Sequence, residues 1–213
     1  MILILARHGE TAGNQLGLIL GQKDYPLTDS GIASTEKLAH AVAGFLRPPI
    51  DGPAEIGMVR PKGAIFTSPL GRAKASAGIF SEHTGWQVIV LDGMAELGCG
   101  EWEGMIRAEV APDRPFIRKD WNDSPPGGES YQSALARVER AVEAIRKFES
   151  TDSAIVVGHG SVNRLFLKAW LGLDPAYAMT ISQRHDVAYV LNADKASFWI
   201  DADGNTGQGL NAN

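Results

Sequence analysis

The sequence predicts an α/β protein in which helices cover both faces of a largely parallel sheet. Short apolar segments alternate along the chain with longer segments of helical periodicity, a pattern typical of strands joined by helical connections. Strands joined in this way run parallel to one another. Only a short turn separates the last two strands, so we expect one of them to run antiparallel. The chain contains no internal repeats.

The predicted strands are short apolar runs bounded by glycine, proline or polar residues. They are expected at 2–5, 64–67, 88–91, 154–157, 187–191 and 197–200, with a turn at 192–195 between the last two. Because the first four are continuous apolar runs, we expect them to be buried on both faces.

The predicted helices begin near capping residues and end near glycine or proline. They are expected at 28–47, 69–85, 129–149 and 160–171. In the second helix, Pro69 is expected in the first turn, where a missing N–H costs no hydrogen bond, and Arg72 in the same turn. The segment 12–27, between the first strand and the first helix, is expected to be irregular.

The chain is expected to form a single domain over residues 1–213. Residues 48–63 are rich in proline and glycine and are predicted to form an inserted loop. Residues 105–128 carry prolines and basic side chains and are predicted to form a mostly irregular lid. Residues 201–213 have the composition of a flexible tail.

The composition excludes several classes of function. A formal net charge of −5 and a pI near 5.5 argue against a nucleic acid or an acidic membrane surface as the main partner. No apolar run is long enough to span a bilayer or to act as a signal sequence. The single cysteine, Cys99, excludes an internal disulfide framework and fits a reducing compartment. We therefore expect a cytoplasmic protein, and a homodimer is compatible with the sequence.

Charged or titratable side chains follow each of the four strands that are expected to be buried. They are Arg7 with His8, Arg72, Glu96 and His159. Because the carboxyl ends of parallel strands meet at one edge of a sheet, we expect these side chains to converge there. Arginines, histidines and a carboxylate in one place are what phosphoryl transfer through an enzyme-bound phosphate requires.

Phosphate binding is assigned to the basic and amide side chains near this edge. Arg7 and Arg72 can bind phosphoryl oxygens through paired N–H donors, which a lysine would do less specifically. His159 would add a further donor and, if protonated, a further positive charge. Asn14 can donate its amide to the same oxygens.

Covalent chemistry is assigned to His8 and Glu96. A neutral His8 would attack phosphorus with one ring nitrogen, while a backbone carbonyl such as that of Gly9 holds the other. Glu96 would protonate the leaving oxygen and then activate water. We expect no metal and no cofactor, because arginines would neutralise the phosphate and the sequence shows no clustered ligand set. His185 is expected to have a structural role near the rim of the site.

Several motifs occur in order along the chain. They are Arg7-His8-Gly9-Glu10-Thr11 with Asn14, Gly21-Gln22, Leu27-Thr28-Asp29-Ser30-Gly31, Thr67-Ser68-Pro69-Leu70-Gly71-Arg72-Ala73, Glu96 with Gly100-Glu101-Trp102-Glu103-Gly104, and Gly158-His159-Gly160. Together they resemble the motifs of the histidine phosphatase superfamily, also called the phosphoglycerate mutase-like family.

This resemblance implies a fold, a mechanism and a set of binding residues. The fold is a three-layer α/β/α sandwich with a mostly parallel mixed sheet. The mechanism uses a phosphohistidine at His8 and proton donation by Glu96, with phosphate held by the side chains assigned above. The same motifs add Gly21, Gln22 and Gly160 as expected substrate-binding residues.

One feature of the resemblance indicates the branch of the superfamily, and a second favours a phosphatase within it. Thr11 and Gly13 stand where the acid-phosphatase branch has Arg and Pro, so the chain resembles the other branch. The short lid runs into Pro125-Pro126-Gly127-Gly128-Glu129-Ser130, similar to the broad-specificity and cobalamin-pathway phosphatases. The resemblance therefore implies a phosphomonoester hydrolase that acts on a small phosphorylated metabolite.

Two alternatives stay open at this point. A cofactor-dependent phosphoglycerate mutase would need basic lid residues to hold a carboxylate, and Arg114, Arg118 and Lys119 could do so. A catalytically weak phosphate-binding regulatory module would need only the phosphate contacts, and the presence of both His8 and Glu96 argues against it.

Overall fold

The structure, a computed structural model, describes residues 1–46, 62–114, 116–148, 152–192 and 197–211. The predicted inserted loop at 48–63 and the predicted turn at 192–195 lie outside the described residues, apart from residues 62, 63 and 192.

One mixed sheet lies at the centre of the described part of the chain. Its strands are β1 (Ile2–Arg7), β2 (Gly63–Thr67), β3 (Gln87–Val90), β4 (Ser153–Gly158), β5 (Val187–Leu191), β6 (Ser197–Asp201) and β7 (Thr206–Gln208). Their spatial order is β3-β2-β4-β1-β5-β6-β7. β1 to β4 are mutually parallel, whereas β5, β6 and β7 each run antiparallel to the preceding strand in that order.

Helices cover both faces of this sheet. They are α1 (Ala12–Gln15), α2 (Asp29–Phe45), α3 (Gly71–Thr84), α4 (Arg107–Val110), α5 (Tyr131–Arg146), α6 (Gly160–Leu171) and α7 (Pro175–Thr180). Alternate residues of β1 point to opposite faces, so Leu3 packs in the core with α5 and α6, and Ile4 packs with α2 and α3. A strand that is buried on both faces is apolar throughout, which explains the unbroken apolar run in β1. The three-layer fold is therefore confirmed.

Local signals define several of the helix ends. Thr28 caps α2 by accepting a hydrogen bond from the Gly31 N–H at 2.9 Å. Gly85 after α3 and Gly172 after α6 adopt φ values of 76° and 73°, the left-handed conformation that ends a helix and that glycine adopts without strain. Among the described residues, no helix combines the length and the apolar character needed to cross a membrane.

Two predictions about β3 and α3 are wrong. β3 lies at the edge of the sheet and pairs with β2 alone among the described strands, so Val88 and Val90 are 38% and 46% exposed. Pro69 precedes α3, because the Ser68 hydroxyl accepts the Leu70 N–H and turns the chain before the helix begins.

The predicted flexible tail and irregular segment also need correction. The chain after residue 201 turns back and forms β7, which pairs with β6, and Leu210 is buried in the core. Gly207 permits this approach, because a Cβ there would lie 2.4 Å from the Trp199 ring. Residues 12–27 contain the short helix α1, which is capped by Thr11, and the described chain also contains α7, which no pattern predicted.

The register of the parallel strands brings three chain segments to one edge of the sheet. Arg7 of β1 lies opposite Gly158 of β4, and Thr67 of β2 lies opposite Val157. The residues that follow these strands, His8, Ser68 and His159, therefore meet at the carboxyl edge, where ligands bind in open α/β sheets.

Candidate active site

His8 is a buried, neutral imidazole whose reactive nitrogen is identified by its hydrogen bonds. Nδ1 lies 2.7 Å from the carbonyl oxygen of Gly9, as expected, and can only donate to it. Nε2 therefore keeps its lone pair and accepts from the Arg72 Nε–H at 3.3 Å. Burial, and then the positive charges of neighbouring groups including Arg7, hold the pKa of His8 well below its usual 6.5. At neutral pH the His8 ring is therefore neutral, and the lone pair of Nε2 is its free basic site.

Arg72 lies beside His8 because the loop between α1 and α2 holds its guanidinium. Its Nη1 donates to the Lys23 carbonyl at 2.7 Å, and its Nη2 donates to the Gly21 carbonyl at 2.8 Å. Asp24 pairs with the same side chain at 3.3 Å. These bonds fix the direction of a buried cation, and Gly21 contributes to the site through its main chain.

The close approach of this loop to the glycine-rich segment after β3 requires glycine at position 21. Gly21 has a φ of 51°, and a Cβ there would lie 2.1 Å from Glu103 Oε1. That carboxylate oxygen accepts from the backbone N–H of Gln22 at 2.9 Å and of Cys99 at 2.8 Å. The side-chain amide of Gln22 donates to the Glu96 carbonyl at 3.1 Å. Gln22 therefore contacts the main chain that carries Glu96.

Arg7 supplies a second cation and is partly buried. Its Nη1 donates to the Gln183 carbonyl at 2.8 Å, and its Nε is buried without a hydrogen-bond partner among the described residues. Burial lowers the pKa of Arg7 to about 10, so the guanidinium stays charged at neutral pH. An unpartnered buried donor is costly in the free protein and is suited to an anionic ligand.

His159 contributes a donor and no charge. Its Nε2 lies 2.7 Å from the Ser68 hydroxyl, which already accepts from the Leu70 N–H and can donate its own proton to the ring. Nδ1 would then carry the ring proton, and Nδ1 is buried without a partner among the described residues. Burial, followed by the charges of Arg72 and Arg7, keeps the pKa of His159 well below its usual value, so the further positive charge considered from the sequence is absent.

The carboxyl group of Glu96 contacts the N-terminus of α6. Its Oε1 accepts from the backbone N–H of Leu97 at 2.8 Å and of Val162 at 3.0 Å, and its Oε2 accepts from that of Ser161 at 3.1 Å. Two of these three donors belong to the first turn of α6, and together the three fix the position of the carboxyl group. Oε2 accepts one hydrogen bond where Oε1 accepts two, so Oε2 is the oxygen with capacity to exchange a proton.

These groups surround a cavity of about 390 Å³. Of the residues predicted from the sequence, the cavity is lined by Arg7, His8, Asn14, Gly21, Arg72, Glu96 and Gly160. His159 lies beside it, with its ring centroid 5.0 Å from that of His8. Asn14 Oδ1 accepts from the backbone N–H of Thr11, which orients the amide at the start of α1.

The lid contributes two apolar residues and two arginines to this cavity. They are Phe116, Ile117, Arg107 and Arg118. Arg118 is buried and donates to the carbonyls of Glu129 at 2.6 Å and Gly98 at 2.8 Å. The other two basic lid residues, Arg114 and Lys119, do not line the cavity: the Arg114 guanidinium and the Lys119 backbone N–H both bind Asp123 at 2.8 Å.

Two residues that line the cavity had no role assigned from the sequence. They are Gln183, in the segment before β5, and Arg164, in α6. His185, which was expected near the rim of the site, also lies in the segment before β5. His185 Nδ1 lies 2.5 Å from the His8 carbonyl oxygen, and the two rings are 5.2 Å apart. Because β5 is antiparallel to β1, its amino end lies at the edge where the parallel strands end. The direction of β5 therefore brings Gln183 and His185 to the site, and no local pattern in the sequence reports that direction.

Among the described residues, no group of three or more histidines, cysteines, aspartates or glutamates could hold a metal ion. Cys99 lines the cavity, but burial raises the pKa of its thiol to about 11. A thiol in that environment is not a nucleophile at neutral pH.

The buried histidines predict a loss of stability in mild acid. Burial lowers the pKa of His8 and His159 well below 6.5 and that of His185 to about 4. Below pH 6.5 the unfolded chain therefore binds more protons than the folded one, and the free energy of unfolding falls as the pH drops. Each such histidine contributes a slope of up to about 1.4 kcal/mol per pH unit. Urea unfolding at pH 7.5 and 5.5 measures the difference.

Titration of the carboxyl groups with lowered pKa values does not account for the expected loss of stability between pH 7.5 and 5.5. The carboxyl pKa values that the structure lowers are those of Glu129, Asp186 and Asp201, and these groups titrate below the histidine window. The variant His185→Asn should show a shallower pH dependence than the natural chain. Equal or greater stability of the natural chain at pH 5.5 would contradict the buried neutral histidines.

Comparison with known proteins gives a consistent result. The family model described as histidine phosphatase superfamily (branch 1) matches residues 3–205. Phosphoserine phosphatase 1 of Hydrogenobacter thermophilus is 30% identical over 177 residues, which cover 81% of this chain and 77% of that protein. A protein of Serratia proteamaculans named "Probable phosphoglycerate mutase" is 30% identical over 179 residues, covering 82% and 76%.

The fold has counterparts among solved structures. A mycobacterial glucosyl-3-phosphoglycerate phosphatase in complex with VO3 matches with a TM-score of 0.74 and 24% identity, covering 99% of each chain. The predictions of the superfamily and of an enzyme of this class are confirmed, and phosphatases are among its relatives.

Proposed function

Because the chain belongs to branch 1 of the histidine phosphatase superfamily, we propose that it hydrolyses phosphate monoesters through a phosphohistidine at His8. The observation that carries this proposal is the state of His8. Its Nδ1–H is held by the Gly9 carbonyl, and its Nε2 lone pair faces a cavity with buried arginines. A neutral imidazole so placed is a nucleophile for phosphorus.

In the first step, the Nε2 lone pair of His8 attacks phosphorus in line with the ester oxygen. The bond between phosphorus and that oxygen breaks, and the oxygen takes a proton from the carboxyl group of Glu96. Arg7 and Arg72 bind the phosphoryl oxygens and stabilise the charge of the transition state. The Arg72 Nε–H that donates to Nε2 in the free protein becomes available to a phosphoryl oxygen when Nε2 attacks.

In the second step, water attacks the phosphorus of the phosphohistidine. Glu96, now a carboxylate, takes a proton from the water, and the bond between phosphorus and Nε2 breaks. The electron pair returns to Nε2, inorganic phosphate leaves, and Glu96 is protonated again for the next cycle. Because the hydrogen bonds of Glu96 come from backbone N–H groups, the carboxyl group keeps its place through both steps.

The arginines take the part that a metal ion plays in other phosphatases, so we propose that the reaction needs no metal. The cavity volume of about 390 Å³ suits a small phosphorylated metabolite. We also propose that the protein acts in the cytoplasm.

A phosphoglycerate mutase is the second candidate, and two observations favour it. Two of the relatives carry that name, and Arg107 and Arg118 line the cavity from the lid. A mutase must hold its dephosphorylated product and exclude water until the phosphoryl group returns. Arg114 and Lys119 do not line the cavity, and Arg118 already donates to two carbonyls, which favours the phosphatase.

The partition of the phosphoryl group separates the two candidates. With 3-phosphoglycerate and a trace of 2,3-bisphosphoglycerate, we expect release of inorganic phosphate and no build-up of 2-phosphoglycerate. The assay follows both products, is run with excess EDTA because no metal is required, and is repeated with sugar phosphates and nitrophenyl phosphate.

The variant His8→Ala controls for contaminating phosphatases. Rapid interconversion of the two phosphoglycerates with negligible phosphate release would replace the phosphatase by the mutase. Loss of activity in EDTA would overturn metal independence, and phosphate release from none of the esters would favour the weak phosphate-binding module.

A further inference from the structure

Gln183 is a buried amide whose donor has no partner. The residue is 7% exposed and lines the active-site cavity. Its Nε2 is buried and makes no hydrogen bond to any described residue. Because a buried N–H group without a partner destabilises the free protein, such a group in a cavity indicates a ligand that accepts its hydrogen bond.

The main chain around Gln183 is fixed by bonds at three consecutive residues. Arg164 Nε donates to the Ile181 carbonyl at 3.0 Å, and the Tyr189 hydroxyl donates to the Ser182 carbonyl at 2.5 Å. The Gln183 carbonyl itself accepts from Arg7 Nη1 at 2.8 Å. The backbone that presents the Gln183 amide is therefore held in one position, against the arginine that binds phosphate.

Two further buried donors have no partner among the described residues. They are Arg7 Nε, on a residue that lines the same cavity, and His159 Nδ1, on a ring beside it. The proposed function assigns Arg7 to the phosphoryl oxygens, and the sequence assigned His159 to phosphate. Donors left unpaired in and beside one cavity indicate a single acceptor-rich anion, because such an anion offers several lone pairs to converging N–H groups.

We propose that Gln183 contacts the substrate and donates its Nε2–H to an oxygen of the transferring phosphoryl group. This inference rests on the proposed function, because it adds a donor to the same phosphate. The amide stabilises the extra charge that develops in the transition state, as a preorganised neutral donor does in an oxyanion hole. In the free enzyme this donor is destabilising, because Nε2 is buried there without a partner among the described residues.

The variant Gln183→Met tests the proposed hydrogen bond, because its effect on substrate and vanadate binding can be measured separately from its effect on folding stability. Methionine has a similar length and no polar atoms, so the melting temperature without ligand should equal that of the natural chain or rise by up to about 4 °C. The value of kcat/KM for phosphate esters should fall by about 10- to 100-fold. The increase in melting temperature caused by orthovanadate or inorganic phosphate should shrink. Gln208→Met, at an exposed position on β7, is the matched control and should change none of these.

A second variant tests the charge of the bound group. Gln183→Glu keeps the shape of the side chain, and at pH 8 an ionised carboxylate would repel the phosphoryl oxygens. We expect it to lose more activity and more of the vanadate effect than Gln183→Met. This variant also keeps the test informative if methionine disturbs folding.

The outcomes distinguish this inference from the proposed function. One outcome overturns the inference and leaves the proposed function standing. In it, the natural chain hydrolyses phosphate esters, and Gln183→Met keeps kcat/KM and the vanadate-induced rise in melting temperature within about twofold of the natural chain's values. If Gln183→Met lowers the melting temperature without ligand by more than about 4 °C, the decision passes to Gln183→Glu, and a vanadate effect in that variant within about twofold of the natural chain's would also overturn the inference. No hydrolysis by the natural chain, with a weaker vanadate effect in Gln183→Met, would overturn the function and support Gln183 as an anion donor.

Discussion

Replacement of His8 by alanine is expected to lower kcat for phosphate ester hydrolysis by at least about 10⁴-fold, because the step that forms the phosphoenzyme disappears. The buried arginines remain in this variant and should still bind vanadate or phosphate. Steady-state kinetics with nitrophenyl phosphate measures the loss, and the melting temperature with and without vanadate reports whether the cavity survives.

A matched control uses another histidine. His185 contacts the His8 main chain and does not touch phosphorus in the proposed mechanism. His185→Asn should therefore lower kcat far less than His8→Ala does. An alanine variant of His8 that keeps activity within tenfold of the natural chain would show that the nucleophile lies elsewhere.

Glu96→Gln is expected to slow hydrolysis of alkyl phosphates by about 10²- to 10⁴-fold, because glutamine cannot donate a proton to the leaving oxygen or take one from water. Nitrophenolate needs no proton to leave, so the variant should still transfer the phosphoryl group of nitrophenyl phosphate to His8. Hydrolysis of the phosphoenzyme then becomes slow. Rapid-mixing experiments should show a burst of nitrophenolate equal to the enzyme concentration, followed by slow turnover.

The control for this prediction is Glu101→Gln. Glu101 is exposed and, like Glu96, lies in the segment that follows β3. The substitution removes a carboxyl group from the same loop and should leave both leaving-group classes unchanged. Equal slowing of alkyl and nitrophenyl esters by Glu96→Gln, without a burst, would assign proton transfer to another group.

The parallel half of the fold could be predicted because each strand is a continuous apolar run followed by a chemically distinctive residue. His8 and His159 were placed by this rule, and the register of β1 with β4 brings them together. Arg72 was placed by its position in the first turn of a helix. The position of Pro69 was predicted wrongly, because the turn at Ser68 depends on a side-chain hydrogen bond that the apolar pattern does not report.

The antiparallel half could be predicted only in part. β5 and β6 were recognised, but the direction of β5 depends on its pairing with β1, which is a contact between distant parts of the sequence. Gln183 therefore had no sequence signal as a site residue. β7 was missed for a related reason: its few residues are polar, and they form a strand because β6 offers an edge.

Isolation of the phosphoenzyme tests the central claim most directly. Glu96→Gln is mixed with nitrophenyl phosphate that carries a labelled phosphoryl group, quenched in base, and digested for peptide mapping. The mechanism predicts one label per chain on the peptide that contains His8, stable in base and lost in acid. Label on a peptide that contains His159, or label on no histidine while the enzyme turns over, would contradict it.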